Sequence, residues 1–573
     1  MKILTYIIAG FLIGINLLNA QNQVAIPDTL SGTQFDLSLQ SGTVQFYPGQ
    51  ISNTMGINGN ILGPTLIMNK GDMVNILVDN QLSETTTIHW HGMHVSASND
   101  GGPHTTIEPS EVWNPSFTVF DRAATYWYHP HLHEKTNEHV SKGIAGFIIV
   151  RDEDEAALDL PRTYGVDDFP LVIQTKDFDE NNQIVTPSNA DDVLMVNATI
   201  DPMLDVPAQV VRFRLLNGSS QRVFNLGLSG NQTFYQIGSD DGLLSETNAV
   251  SRLRLAPGER VEVLIDLTAM QGQSLSLMSF AAELANGIYG ASNPGIMPIM
   301  ILNGYNPNPL NGTNFTILEM NVVATTNNPV MSIPGELVEV NPIPESLADI
   351  TRTLIFTPEQ AGPNSLNGKF YINGTSFDMD IINYSIAINN IEIWTITNQS
   401  PIAHPFHIHD VHFYVLDRNG NPPPPGEQGR KDVILVPAME TVRFITQFTD
   451  FANDEVPYMY HCHMLTHEDD GMMGQFEVVD NPSGIAQGIK DRNNIKIYPN
   501  PVSGDEVKVL IPGKVKNVEY YELYTATGNM IIHKPLGSIQ QEILLDLSNV
   551  KPGTYILIVK TSNEVYTESI IKK

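Results

Sequence analysis

The chain has 573 residues, a formal net charge of −32 and a single cysteine. This length is too great for one hydrophobic core and predicts about three or four domains. The acidic balance argues against nucleic acid or an anionic membrane as a partner. One cysteine excludes an intrachain disulfide.

The first residues are typical of a secretory signal peptide. Lys2 precedes an apolar run over residues 3–18, and the small residue Ala20 closes the segment. A positive start, an apolar stretch and a small residue at the cleavage point predict a leader over residues 1–20. A membrane anchor is the alternative, but the run is short for a span and contains two glycines. We therefore expect an exported mature chain with no membrane span.

The following residues predict strands and turns, because short apolar alternations are punctuated by Gly, Pro, Asn and Asp. A weak internal repeat consists of an alternating strand that ends in Asn and a later Pro-x-Glu-like turn. Its strands are residues 74–80, 211–217 and 392–398, and its turns are 109–111, 257–259 and 437–440. Three copies of one β-sandwich or barrel explain this repeat. We predict them over residues 23–155, 165–320 and 345–480.

Histidines cluster in the first and third copies only. Residues two apart on a strand face the same side, and this spacing occurs in four pairs: His89 and His91, His129 and His131, His407 and His409, His461 and His463. Eight imidazoles suit more than one copper or zinc ion. Zinc is the less favoured metal, because structural zinc sites usually recruit several cysteines or a compact four-ligand set. His404 lies an odd step from His407 and is free to serve a different metal.

The run from His461 to Met472 concentrates soft ligands around the only cysteine. A thiolate, an imidazole and a weak axial thioether are ligands of a blue-copper centre, and Cys462, His467 and Met472 can supply them. His461 and His463 flank Cys462 on an extended segment, so both face away from it. This arrangement predicts two metal sites joined by one short strand. A buried structural cysteine is the alternative, and five ligands within twelve residues argue against it.

The end of the chain differs in composition. Residues 481–494 are polar and lack sustained periodicity, which predicts a linker. Residues 495–573 predict a small separate β-unit without a ligand cluster. From composition alone this unit is a binding or stability module.

Taken together, four motifs resemble those of the multicopper oxidases. They are His-Trp-His-Gly at 89–92, Trp-Tyr-His-Pro-His at 127–131, His-Pro-Phe-His-Ile-His at 404–409, and the run 461–472. The resemblance covers residues 23–480 and is closest to the bacterial laccase and copper-efflux oxidase branch. It implies an all-β chain with three consecutive cupredoxin-like Greek-key domains. Residues 495–573 resemble a type IX secretion sorting domain, through Tyr-Pro-Asn-Pro at 498–501 and Gly-Thr-Tyr at 553–555.

The resemblance implies four coppers and a residue for every ligand position. The type 1 copper would take His404, Cys462, His467 and Met472, and the type 2 copper His89 and His407. The two type 3 coppers would take His91, His129, His131, His409, His461 and His463. Electrons would pass from Cys462 through His461 and His463. Asp100 and Glu468 match acids that deliver protons in this branch.

The expected activity is that of a secreted, laccase-like oxidase. It would couple four one-electron oxidations of a phenol, an aromatic amine or a low-valent metal ion to the reduction of dioxygen to water. A dedicated cuprous oxidase is an alternative, but methionines are scattered and an acid before the third motif is missing. A non-catalytic cupredoxin-fold structural protein and a simple electron-transfer copper protein or copper nitrite reductase are further alternatives. The expected location is outside a Gram-negative cell or on its surface, reached through secretion machinery, with the periplasm as the alternative.

Overall fold

The computed structural model describes residues 21–480, 490–491, 495–511, 517–525, 529–539, 542–561 and 565–573. The predicted signal peptide and most of the predicted linker lie outside these residues. By its contacts the chain divides into two compact units. Unit 1 comprises Met1–Gly374, Ile391–Gln447 and His461–Met472, and unit 2 comprises Thr375–Asn390, Phe448–Tyr460 and Met473–Lys573.

Strands dominate the structure, which confirms the predicted all-β class. The α-helices are short: α1 (Ala97–Asp100), α2 (Thr136–Lys142), α3 (Glu153–Ala156) and α4 (Leu465–Asp469). No helix in the described part of the chain is both long and apolar enough to cross a membrane.

The first sandwich belongs to unit 1. Its segment contains β1 (Asn22–Gln23), β2 (Thr29–Ser31), β3 (Gln34–Tyr47), β4 (Gln50–Ile57), β5 (Thr65–Asn69), β6 (Met73–Asn80), β7 (His89–His91), β8 (Val112–Trp113), β9 (Ser116–Thr118), β10 (Ala124–His129) and β11 (Gly146–Arg151). One sheet has the order β2-β5-β11-β10-β7, and the other β4-β3-β6-β8 with β9 beside β6. Along β6, Val74, Ile76 and Val78 are buried, whereas the residues between them, Asn75 and Leu77, are more exposed. This period of two gives the sandwich its core.

The second sandwich also belongs to unit 1. Its strands are β12 (Asp168–Phe178), β13 (Ile184–Val185), β14 (Val193–Val196), β15 (Thr199–Ile200), β16 (Pro202–Pro207), β17 (Val210–Asn217), β18 (Phe224–Leu228), β19 (Phe234–Ser239), β20 (Gly242–Val250), β21 (Leu253–Leu255), β22 (Arg260–Asp266), β23 (Ser274–Phe280) and β24 (Asn314–Val323). The sheets have the orders β1-β16-β24-β23-β18-β21 and β15-β14-β12-β17-β22-β19-β20. Strand β17 is buried along its whole length, including Arg212 and Arg214.

The third copy is divided between the two units. Its strands are β25 (Ile350–Pro358), β26 (Phe370–Ile372), β27 (Ile381–Ile382), β28 (Tyr384–Ala387), β29 (Ile391–Asn398), β30 (His404–Ile408), β31 (Tyr414–Arg418), β32 (Val433–Val436), β33 (Thr441–Gln447), β34 (Asn453–Cys462) and β35 (Met473–Val479). Within unit 1 they form the sheet β26-β25-β29-β33-β31 and the antiparallel pair β30-β32. The rings of Trp394 and Phe444 stack in its core, with centroids 6.2 Å apart.

Unit 2 contains the remaining strands: β36 (Lys490–Asp491), β37 (Lys496–Tyr498), β38 (Glu506–Leu510), β39 (Asn517–Thr525), β40 (Met530–Ile539), β41 (Glu542–Asp546), β42 (Gly553–Thr561) and β43 (Val565–Lys572). Within this unit β28 pairs with β35 and β27 with β36. The C-terminal residues form the sheets β37-β38-β41 and β40-β39-β42-β43. They share an apolar core that includes Val507, Leu523 and Val559. The predicted C-terminal β-unit is therefore present.

One contact recurs in all three copies and explains the repeat seen in the sequence. The Asn at the end of the strand donates its main-chain N–H to the carbonyl of the Glu in the Pro-x-Glu-like turn. The N···O distances are 3.0 Å for Asn80 and Glu111, 3.2 Å for Asn217 and Glu259, and 2.9 Å for Asn398 and Glu440. In each case the Asn side chain also bonds buried main-chain groups. The asparagine thus ties the strand to the turn.

Candidate metal centre

The histidine pairs come from strand ends that meet in the interior of unit 1. His89 and His91 lie on β7, which pairs antiparallel with β10 so that His129 faces His89. His407 lies on β30, and His461 lies on β34. All eight paired histidines are buried. The structure therefore brings together every histidine pair that the sequence singled out.

One group of imidazoles consists of His91, His129 and His463. Nδ1 of His91 lies 3.3 Å from Nε2 of His129 and 3.2 Å from Nε2 of His463. Three ring nitrogens converge here from residues far apart in the chain. Such a group can hold a metal ion that prefers imidazole ligands.

A second group consists of His131, His409 and His461. Nε2 of His131 lies 3.2 Å from Nε2 of His461. Nδ1 of His409 donates to Oδ2 of Asp100 at 2.7 Å, which directs its other ring nitrogen away from that carboxylate. Each group draws on both the first and the third sandwich.

His89 and His407 approach the same region from opposite strands. Nδ1 of His89 donates to the carbonyl of Asp100 at 2.9 Å, and Nδ1 of His407 donates to the carbonyl of Asp432 at 2.9 Å. In the described part of the chain, Nε2 of both residues and of His409 has no hydrogen-bond partner. Buried polar atoms are rarely left in this state. These three nitrogens therefore mark places where a ligand completes the structure.

A separate group surrounds the cysteine. Sγ of Cys462 lies 3.5 Å from Nδ1 of His404 and 3.7 Å from Nδ1 of His467. Met472 is fully buried, and its carbonyl accepts the main-chain N–H of Cys462 at 3.0 Å. The ring of Phe370 lies beside both histidines, with centroid distances of 4.8 Å to His404 and 4.7 Å to His467. A thiol and two imidazoles thus share a largely apolar pocket.

The two acids singled out from the sequence both contact the histidine groups. Besides bonding His409, Asp100 places Oδ1 3.3 Å from Nδ1 of His89. Glu468 lies 3.4 Å from Nδ1 of His131 through Oε1 and 3.2 Å from Nδ1 of His461 through Oε2. Each carboxylate therefore faces the outer nitrogens of two imidazoles.

Burial controls the protonation of these groups. It lowers the pKa of His131, His463 and His467 to about 3. It also brings the pKa well below its usual range for His91, His129, His404, His407 and His409. Burial alone would raise the pKa of Glu468, but the imidazoles of His131 and His461 bring it well below its usual value. These eight imidazoles are therefore neutral at pH 7, as metal ligands must be.

Sequence reasoning missed two side chains at the histidine groups. Oδ1 of Asp432 lies 3.2 Å from Nε2 of His91, and Arg260 binds the same carboxylate. No spacing pattern connects these residues with the histidine motifs, so only the folded chain reveals them. A third missed residue, Ser400, places its hydroxyl 2.8 Å from Nε2 of His404.

Comparison with known proteins agrees with this arrangement. Family models described as multicopper oxidase match residues 38–155 and 344–482. A model described as a secretion system C-terminal sorting domain matches residues 496–573. The predicted sorting unit is thereby confirmed, and it implies secretion or export to the cell surface.

Individual relatives cover most of the chain. The multicopper oxidase mco of Staphylococcus haemolyticus is 33% identical over 81% of this chain and 94% of its own length. The cell division protein FtsP of Xenorhabdus nematophila is 32% identical over 80% of this chain and 91% of its own length. The solved structure of a laccase-like multicopper oxidase from the lignin-degrading bacterium Ochrobactrum sp. has a TM-score of 0.70 and 32% identity, and it covers 80% of this chain and 100% of its own.

These matches confirm the predicted cupredoxin-like architecture and copper as the cofactor. The identity and coverage of the relatives, joined to the buried histidine and cysteine groups, place the chain in one family. The chain belongs to the multicopper oxidases, copper-dependent oxidoreductases that use dioxygen as the electron acceptor.

Proposed function

We propose that the chain is a secreted, laccase-like oxidase with four coppers. The type 1 copper takes His404, Cys462, His467 and Met472, and the type 2 copper takes His89 and His407. The type 3 pair takes one ion on His91, His129 and His463 and the other on His131, His409 and His461. The observation that carries this assignment is the pair of buried three-histidine groups beside the separate His404–Cys462–His467 group.

The chemistry of the donors fits copper. Nε2 of His89, His407 and His409 lacks a hydrogen-bond partner within the described residues, and an unsatisfied buried nitrogen is costly unless a ligand binds it. Burial lowers the pKa of His404 and His467, which keeps both rings neutral. The Cys462 sulfur faces these two rings, a donor set that suits copper. Burial raises the pKa of the Cys462 thiol, and binding of a metal removes its proton.

Bound copper would supply one-electron redox chemistry and the reduction of dioxygen to water. The chain supplies the framework for it. Cys462 is covalently joined to His461 and His463, which belong to the two different three-histidine groups. One strand end therefore connects the cysteine site with both groups through main-chain bonds.

The acids serve proton delivery in this proposal. Asp100 holds the outer nitrogens of His89 and His409, and Glu468 those of His131 and His461. Both carboxylates are almost fully buried. Their contacts also fix the ring nitrogen that each histidine turns towards the metal. An acid so placed can pass protons to reduced oxygen while it keeps the ligands oriented.

A cavity of 190 Å³ beside His467 supports a small organic reductant. Its polar lining includes Asn189, Gln221, Asn303 and Asp470, and its apolar lining includes Tyr289 and Leu366. Among the residues that the structure describes, neither a lysine nor an arginine lines it. Phenols and aromatic amines match this small, mixed lining, and the Ochrobactrum relative is described with activity towards lignin model compounds. Cuprous ion is the second candidate, because Met464, a residue with a soft thioether donor, also lines the cavity.

The location follows from the C-terminal unit. We infer that residues 496–573 direct the chain through the type IX machinery of a Gram-negative bacterium to the cell surface or beyond, with the periplasm as the alternative. The predicted signal peptide would first carry the chain across the inner membrane. Fusing residues 481–573 to a folded reporter, and measuring its export with and without this tail, tests the inference.

The oxidase proposal is tested on the copper-loaded full chain. Copper content, visible absorption and oxygen uptake are measured with a phenol and, separately, with cuprous ion as the donor. About four coppers per chain, a strong thiolate absorption band and oxygen uptake without release of peroxide are expected. Faster turnover with cuprous ion would assign a role in copper detoxification. A chain that binds copper without oxygen uptake would favour a structural role and contradict the oxidase proposal.

A further inference from the structure

Asp432 contacts two histidines of different groups at once. It immediately precedes β32 and is almost fully buried. Its side-chain Oδ1 lies 3.2 Å from Nε2 of His91, and its main-chain carbonyl accepts Nδ1–H of His407 at 2.9 Å. The two rings stack on each other with centroids 3.8 Å apart. Asp432 therefore contacts two adjacent imidazoles through different ring nitrogens, Nε2 of His91 and Nδ1 of His407.

Which ring nitrogen contacts Asp432 matters, because a neutral imidazole carries a proton on only one nitrogen. When Nε2–H of His91 donates to Asp432, the lone pair is left on Nδ1. That nitrogen is the one that faces His129 and His463. His129 and His407 have Nδ1 near main-chain carbonyls instead, and so turn Nε2 to the site. His91 thus turns Nδ1 towards the site, whereas these two histidines turn Nε2 towards it.

Arg260 fixes the Asp432 carboxylate. Its Nη1 donates to Oδ1 at 2.6 Å and its Nη2 to Oδ2 at 2.5 Å. The remaining guanidinium contacts are to the carbonyls of Thr125, Gly258 and Asp240. Arg260 is fully buried and begins β22 of the second sandwich, whose segment carries none of the proposed ligands. Every N–H direction of this guanidinium is therefore constrained.

The Arg260–Asp432 pair leaves no space for a side chain at position 92. Gly92 has φ +85°, and a Cβ built on it would lie 2.5 Å from Oδ2 of Asp432 and 2.6 Å from Nη2 of Arg260. A side chain at position 92 would displace the ion pair. The glycine that ends the first histidine motif is thus required by the Arg260–Asp432 pair as well as by its backbone conformation.

We propose that Arg260 and Asp432 are positioning residues that fix His91 with its proton on Nε2, so that Nδ1 is the nitrogen offered to a type 3 copper. The proposal rests on the ligand role of His91 given above. It assigns a function at the copper cluster to the second sandwich, through an arginine that touches no ligand itself.

The decisive variant is Asp432→Asn. An amide has one acceptor oxygen, and its NH₂ group cannot accept from the second arm of Arg260. The Asn side chain must therefore lose either the His91 contact or half of the Arg260 contact. Changing a residue that orients a metal ligand typically weakens metal affinity or activity about 10–100-fold. We expect a loss of that size in copper affinity, measured by competition with a chelator.

A spectroscopic readout separates positioning from general destabilisation. The type 3 coppers are coupled and silent in electron paramagnetic resonance, whereas isolated cupric ions are visible. Asp432→Asn is expected to raise the visible fraction of bound copper and leave the type 1 thiolate band unchanged. The matched control is Glu392→Gln, which changes a buried carboxylate paired with Arg352 through contacts of 2.5 and 2.7 Å. It is expected to alter the melting temperature without altering the copper spectrum.

Arg260→Lys provides the second test and decides the outcome if Asp432→Asn does not fold. A lysine keeps the charge but cannot bind both carboxylate oxygens in the same way, so a smaller increase in the visible copper is expected. The double variant should show little more visible copper than Asp432→Asn alone, because both changes disrupt the same Arg260–Asp432 pair. Unchanged copper affinity and spectrum in a folded Asp432→Asn chain, or in Arg260→Lys, would overturn the proposal. A wild-type chain without coupled copper would instead contradict the proposed function itself.

Discussion

Oδ2 of Asp100 lies 2.7 Å from Nδ1 of His409, although 309 residues separate them in the chain. The contact joins the first sandwich to the third at the histidine groups. The proposed function gives Asp100 two roles, holding a ligand and moving protons, and these roles predict different consequences of substitution.

Asp100→Asn tests the proton role. An amide keeps the size of the side chain but loses the acid, so oxygen uptake is expected to fall about 100-fold or more, while the copper content stays near that of the wild type. Oxygen uptake and copper content are measured on the same preparation. Asp179→Asn, in an exposed turn, is the matched control. Loss of copper in proportion to activity would show that Asp100 acts only by holding its ligands.

Met472→Leu tests the axial position of the type 1 site. Removing a thioether donor favours the cuprous state, so the reduction potential of this copper is expected to rise. The potential is measured by redox titration of the thiolate absorption band. Met68→Leu removes a thioether from the buried core of the first sandwich and should leave the potential unchanged. An unchanged potential in Met472→Leu would exclude Met472 as an axial ligand.

The metal-free chain is expected to lose stability steeply as the pH falls below about 6.5. Folding lowers the pKa of His131, His463 and His467 to about 3, so the unfolded chain binds protons that the folded chain excludes. The stabilisation from these neutral histidines is therefore fully present above the pKa of the unfolded chain. Below that pKa the free energy of unfolding falls by roughly 1.4 kcal/mol per pH unit for each such histidine.

The measurement is the denaturant midpoint of the metal-free chain at pH values from about 7.5 to about 4. This range brackets the pH of about 6.5 below which stability is expected to fall. His467→Asn should reduce the slope, because it removes one of the buried groups. His533→Asn, at a half-exposed surface site, is the control and should leave the slope unchanged. Midpoints that do not vary with pH would contradict the burial of neutral imidazoles.

Arg212→Met is expected to destabilise the second sandwich by roughly 1–3 kcal/mol, because two buried carboxylates lose hydrogen bonds and part of their counter-charge. Arg214 still contacts Glu262, and Arg151 still contacts Glu155. Arg212 is fully buried and contacts both Glu262 and Glu155. The free energy of unfolding is measured by chemical denaturation. Lys508→Met breaks the exposed pair with Glu542 and should cost about 0–1 kcal/mol. Equal effects of the two changes would contradict the electrostatic explanation.

Much of the site could be predicted from the sequence because its signals are local. Side chains two residues apart on a strand face the same side. His89 and His91, like His407 and His409, both reach the histidine groups, as this spacing predicts. The strand-ending asparagines were also visible as a pattern, and their common contact explains why. The assignment of individual ligands to individual coppers and the domain boundaries stay predictions.

The remaining part depends on contacts between distant segments. Arg260 and Asp432 are 172 residues apart, and neither belongs to a motif. A buried arginine in a strand is usually part of a structural ion pair, as Arg212 is. Only the folded arrangement shows that Arg260 pairs with a carboxylate that contacts a proposed ligand, His91, whereas Arg212 does not.

The recruitment of ligands from both ends of the oxidase region has a consequence for how the enzyme matures. Four of the paired imidazoles come from residues 89–131 and four from residues 407–463, with Arg260 between them. No nascent or proteolysed fragment that lacks either end can assemble the three-histidine groups. Under the proposed assignment of ligands, the full copper complement can therefore be bound only after both ends of this region have been synthesised and folded together.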